Sequence, residues 1–186
     1  MLVGMRLDPA TSLLAVIDVQ ERLLAVMPEA DRIVGRCTRL AEAAALLGVR
    51  SVLTEQYPQG LGPTPVALAA QLPAAAAKTT FSCCGCGAFA TACAPDVASV
   101  VVAGLETHVC VAQTALDLLA SGMAVFVAVD AVAARHALDH EIALRRLEAA
   151  GAVLVTTEAV IFEWARSADH PRFKELRELV LDRRRP

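Results

Sequence analysis

Short apolar runs recur along the chain at residues 13–18, 50–54, 74–78, 98–104, 124–129 and 152–156, with amphipathic stretches between most of them. Runs of this length that do not alternate with polar residues predict strands buried on both faces, as in a parallel sheet. After the first run, Ile33, Val34, Cys37, Leu40, Ala41, Ala44 and Leu47 fall at helical spacing in the segment that begins at Asp31, and Gly48 supplies a stop. Asp139 is placed to cap a second helix, which carries Ile142, Leu144 and Leu147 on one side and stops at Gly151. Two further helical patterns, 158–166 and 171–181, close the chain, and a Pro/Gly-rich loop spans Pro58 to Pro65. Strands that alternate with helices need right-handed crossovers, so the expected fold class is α/β, a three-layer α/β/α sandwich around a parallel sheet.

Composition narrows the partners. At 186 residues and 56% hydrophobic content the chain can bury one sizeable core, so a single domain over residues 1–186 is expected. A formal charge of −3 argues against nucleic-acid binding, and Arg183-Arg184-Arg185 reads as a solvated end. No run reaches the roughly 18 apolar residues that span a bilayer, and Asp18 interrupts the first run before it resembles a signal. The expectation is a cytoplasmic protein with no membrane partner and with its six cysteines as free thiols. The surplus of aliphatic residues over aromatic ones (4%) suggests burial against further copies, a homo-oligomer.

Cys110 carries the candidate chemistry. It closes Gly104-Leu105-Glu106-Thr107-His108-Val109-Cys110, between the strand run Ser99 to Ala103 and a helix that continues from Val111. Free backbone N–H groups in the first turn of that helix are expected to bias the thiol toward thiolate. Asp18 ends the run Leu13 to Ile17, and Lys78 ends the third run. Charged residues at the carboxyl ends of parallel strands converge on the crevice where α/β folds bind ligands, so the three are expected to share one pocket. Asp18 would take the thiol proton and Lys78 would hold both anions. Backbone N–H groups at Glu106 and Cys110 would form the oxyanion hole as an amide or similar carbonyl passes through a thioester.

With Asp18-Val19-Gln20, Lys78 and Gly104 to Cys110 in this order, the chain resembles the isochorismatase-like cysteine hydrolases over nearly its whole length. The resemblance implies a six-stranded parallel sheet of Rossmann-like form, a Cys110/Asp18/Lys78 triad and a cis peptide at Leu105-Glu106. Thr54-Glu55-Gln56-Tyr57-Pro58, Lys78-Thr79-Thr80-Phe81-Ser82 and His170-Pro171-Arg172-Phe173-Lys174 look most like the small isochorismatase domain proteins of that superfamily. Nicotinamidases of the superfamily carry an Asp-x-His element after the second strand for a metal. Here Gln56 and Pro58 stand in those positions and the first histidine is His108, so no metal and no cofactor is expected.

Around the three, Gln20, Gln56, Tyr57, Phe81 and His108 are expected to contact a small-molecule substrate by their positions. Cys83-Cys84-Gly85-Cys86, with Cys93 following, lacks zinc-knuckle spacing and reads as packing or pocket-wall thiols. His136 and His140 are four apart, but an Asp139 cap would leave His136 in the preceding loop, and both read as structural. The expected function is a metal-independent cysteine hydrolase acting on a small amide or related C–N carbonyl compound. The alternatives are a non-catalytic oligomeric binding or scaffold protein that keeps the pocket, and, third, a thiol redox protein.

Overall fold

In the computed structural model, which describes residues 6–181, the apolar runs become one sheet. Its strands are β1 (Ser12–Ile17), β2 (Arg50–Gln56), β3 (Ala76–Lys78), β4 (Ser99–Leu105), β5 (Ala124–Ala133) and β6 (Val153–Val155). The Arg183-Arg184-Arg185 run lies outside the described residues. Every strand pair is parallel, in the order β3-β2-β1-β4-β5-β6. The chain therefore builds outward first on one side of β1 and then on the other, and the crevice of such a sheet lies beyond the carboxyl ends of β1 and β4.

Between and after the strands lie α1 (Glu21–Leu24), α2 (Ala30–Leu47), α3 (Pro58–Leu61), α4 (Val66–Ala69), α5 (Gly87–Ala92), α6 (Ala112–Ala120), α7 (Ala137–Ala149), α8 (Thr157–Ala165) and α9 (Phe173–Val180). The two-residue period of β1 divides its side chains between two cores. Leu14 and Val16 pack with Ile33 and Leu40 of α2 and with Val160, Ile161 and Trp164 of α8. Leu13, Ala15 and Ile17 pack with Phe89 of α5, Ala115 and Leu118 of α6 and Leu147 of α7. Each such aliphatic side chain contributes about 1.5–3 kcal/mol on burial, which is why β1 tolerates no exposed position.

Among the elements that differ from their sequence expectation, three have a clear physical reason. β5 runs to Ala133 rather than 129, because its register against β4 shifts between Val102 and Gly104. The irregular stretch carries Asp130, whose carboxylate accepts the N–H and hydroxyl of Thr157 at 2.8 and 2.7 Å and so secures the start of α8. α7 begins at Ala137 after His136; Asp139 is not its cap but sits in its first turn, where a carboxylate still complements the helix dipole. The loop from Pro58 winds into α3, with proline at the first helical position, where its fixed φ is already helical.

Candidate active site

Asp18 follows β1 with φ +52, a left-handed conformation that aspartate tolerates better than most residues. The turn keeps its N–H on the carbonyl of Thr54 in β2 at 3.1 Å, while its own carbonyl accepts from Gln20 N. The carboxylate is wholly buried. Its Oδ2 accepts from Lys78 Nζ at 2.7 Å, and its Oδ1 accepts from Thr54 Oγ1 at 2.8 Å.

Lys78, at the end of β3, is nearly as buried as the anion it faces. Its Nζ also donates to Gln56 Oε1 at 2.7 Å and approaches the carbonyls of Thr80 and Phe81 at 3.1 Å. An ammonium so enclosed by oxygens is held in one place, and a buried pair of this kind needs these additional partners to offset desolvation.

Cys110 lies in a single π-helical turn, Thr107–Val111, that leads from β4 into α6. Such turns are uncommon and concentrate at functional sites. Val109 N and Val111 N both donate to the carbonyl of Glu106, and the Leu105-Glu106 peptide is cis, as the resemblance implies. The Cys110 thiol lies close enough to both Asp18 and Lys78 to feel their charges. Asp18 and Lys78 are thus in direct contact, and Cys110 lies within the reach of both charges.

The ionisation of the thiol is a correction. Burial raises the Cys110 pKa first and the Asp18 charge raises it further, against a smaller lowering by Lys78. The lysine is committed to Asp18 rather than to the sulfur, so burial and the Asp18 charge hold the thiol neutral rather than as a thiolate.

The expected substrate contacts divide into two groups. Gln20 is fully buried and its amide is spent inside the protein: Nε2 donates to the carbonyls of Gln56 and Gly62, and Oε1 accepts from Gln56 N. Gln56 likewise donates Nε2 to the Thr79 carbonyl at 2.7 Å, and its Oε1 accepts from Lys78 Nζ. Both act on the site by fixing strands and lysine, not as the substrate contacts expected. Tyr57 and Phe81, by contrast, are 55% and 53% exposed. Tyr57 lines a cavity of about 380 Å³ at the end of β3, together with Pro58, Lys78, Thr80 and Cys86. His108 is partly buried and lies 3.9 Å from Asp139 of α7.

Several residues of the site gave no sequence signal. In the sequence Thr54 stands out only as the first residue of the Thr54 to Pro58 segment, with no role of its own. Arg135 donates both its N–H and its Nε to Glu106 Oε1, pinning the residue that precedes the nucleophile turn. Thr107 Oγ1 pairs with His140 Nδ1 at 2.9 Å and ties the same turn to α7. Among the described residues no group of three or more His, Cys, Asp or Glu side chains is placed to hold a metal ion.

This geometry has relatives. The Isochorismatase domain family matches residues 12–159. Isochorismatase domain-containing protein 2 of Bos taurus is 43% identical over 175 residues, covering 94% of this chain and 85% of its own. The MAR1 ribonuclease structure from Caenorhabditis elegans superposes with a TM-score of 0.90 at 40% identity, covering 95% of this chain and 92% of that one. The YcaC gene product of Escherichia coli, described as an octameric hydrolase of unknown specificity, gives a TM-score of 0.84 at 25% identity and covers 98% of each chain. A parallel sheet of this order, these strand-end residues and these matches together place the chain in the isochorismatase-like hydrolase family.

Proposed function

We propose that the protein is a cysteine hydrolase of small amides or related C–N carbonyl compounds, with Cys110 as nucleophile, Asp18 as proton acceptor and donor, and Lys78 as the fixed cation that orients Asp18. The observation that carries this is the buried Asp18 carboxylate that Lys78 holds at 2.7 Å, with the buried Cys110 thiol within reach of both charges. As Sγ bonds to the carbonyl carbon, its proton passes to Asp18, and the backbone N–H groups of Glu106 and Cys110 receive the oxyanion. The C–N bond then breaks as Asp18 protonates the leaving nitrogen. Water attacks the thioester while Asp18 takes one of its protons, the acid departs, and that proton returns to sulfur. No step calls on a metal. The exposure of Tyr57 and Phe81, in segments that flank Lys78, supports their role as substrate contacts.

A panel of primary amides, ureas and carbamoyl compounds, with ammonia release as readout, tests this. Turnover with acyl adduct mass on Cys110 is expected, falling about 10³-fold or more in Cys110→Ala and Asp18→Asn. Turnover that survives Cys110→Ala would refute it, and binding without turnover of any member would favour the scaffold alternative. The ribonuclease name of the C. elegans relative puts an RNA oligonucleotide on the same panel. A net charge of −3 gives little electrostatic support to that substrate. The octameric state of the E. coli relative supports self-association, and Leu138 and Ile142, exposed one turn apart on α7, offer an apolar surface for it.

A further inference from the structure

Beyond the three residues of the proposed chemistry, a chain of hydrogen bonds runs from Asp18 to the backbone of the nucleophile. The Asp18 charge acts on the Cys110 thiol, and Thr54 Oγ1 donates to Asp18 Oδ1 at 2.8 Å. The Thr54 hydroxyl has a single proton, and with that proton on the carboxylate its lone pair faces Cys83 Sγ at 3.6 Å. Cys83 N donates to Thr114 Oγ1 at 2.9 Å, and Thr114 Oγ1 donates to the Cys110 carbonyl at 2.7 Å. The path thus runs from Asp18 to Cys110, and Thr54, Thr114 and Asp18 in it are fully buried.

We propose that Thr54 is a positioning residue, which turns one oxygen of Asp18 away from solution chemistry and tempers the carboxylate that faces Cys110. Lys78 holds Oδ2 and Thr54 holds Oδ1, so the carboxylate cannot rotate without losing a charge-assisted hydrogen bond at either end. A donor on a carboxylate also draws off part of its charge, and Thr54 weakens the pull of Asp18 on the thiol proton. This role rests on the hydrolase reading above. The titratable groups that face Asp18 are Lys78 from β3, Cys110 from the turn after β4 and Cys83 from the segment before α5. Thr54 itself does not titrate, and its effect is read through Cys110.

The test is the pH dependence of Cys110 alkylation by iodoacetamide, followed by peptide mass spectrometry, in the parent protein, Thr54→Val, Thr54→Ser, Asp18→Asn and the Thr54→Val/Asp18→Asn pair. In Thr54→Val the midpoint rises and alkylation below it slows by up to about tenfold, one pH unit at most. Thr54→Ser keeps the parent midpoint, and Thr54→Val has no effect once Asp18 is Asn, because its influence passes through the carboxylate. An unchanged midpoint in Thr54→Val, or an equal shift with and without Asp18, overturns the proposal. If Asp18→Asn alone leaves the Cys110 midpoint where it was, the coupling of thiol and carboxylate is absent and the hydrolase reading falls with it. If Asp18→Asn moves the midpoint and Thr54→Val does not, only the role of Thr54 is lost. Should Thr54→Val fail to fold, comparison of Thr54→Ala with Thr54→Ser isolates the same hydroxyl.

Discussion

A thiol beside a carboxylate is held neutral for two reasons, the lost hydration of its anion and the repulsion of that anion by its neighbour. Both act on Cys110, and the Lys78 cation opposes them only in part. The alkylation midpoint of Cys110 is accordingly expected above the ordinary free-thiol value of about 8.5. In Lys78→Met, which removes the one lowering influence, it is expected to rise again. A parent midpoint at or below the free-thiol value would show that the lysine serves the sulfur directly. The sequence led to the opposite sign for a specific reason. Helix entry and a nearby lysine are legible in the residues around Cys110 and Lys78, whereas burial and the commitment of Nζ to Asp18, Gln56 and two carbonyls exist only in the folded chain. Gln20 and Gln56 were misjudged for the same reason: polar residues at strand ends look available until their amides are seen to be spent on Gly62 and Thr79.

Gly104 shows the same limits and possibilities at the level of elements. It lies in β4 opposite Ile17 of β1, with φ +122, and a Cβ built there would stand 2.0 Å from the Ile17 carbonyl oxygen. The contact is with backbone, so no rotamer change relieves it. Gly104→Ala is expected to destabilise the protein by roughly 3 kcal/mol or more, a large share of the ~5–15 kcal/mol typical of a domain. Gly122 also has a positive φ (+87) but open space around it, and Gly122→Ala should cost about 1 kcal/mol. Urea unfolding of the two variants makes the comparison, and equal losses would refute the close-approach account. The elements themselves were largely legible, because strands such as β1 and β4 are buried on both faces and must be apolar throughout. The extension of β5 was not, since the irregular stretch around Asp130 interrupts its apolar run with a charge that serves α8. Nor was the start of α7, where a carboxylate in the first turn and a carboxylate at the cap leave similar marks in sequence.

For the whole molecule, thiols buried in both cores link stability to alkaline pH. Cys37, fully buried in the α2-side core, is raised to about 12 by burial first and by the Asp130 charge second. Cys83, in the opposite core, is raised to about 11, chiefly by burial. In the unfolded chain both ionise near the ordinary thiol value of about 8.5. Between that value and the folded one the unfolded state binds fewer protons than the native state, so stability falls as pH rises. The contribution is complete below about pH 8.5 and is lost progressively as pH approaches 11 to 12. Each unit of separation corresponds to about 1.4 kcal/mol, so these two thiols together make the loss across that window several kcal/mol. Urea unfolding under reductant from pH 7 to 11 should show the decline. Cys37→Ser, whose hydroxyl can still donate to the Ala131 carbonyl that accepts from the thiol at 3.6 Å, should show a shallower one, because serine does not titrate there. Identical slopes in parent and variant would mean that Cys37 is open to solvent in solution, and that the α2 side of the sheet is less closely packed than its buried thiol implies.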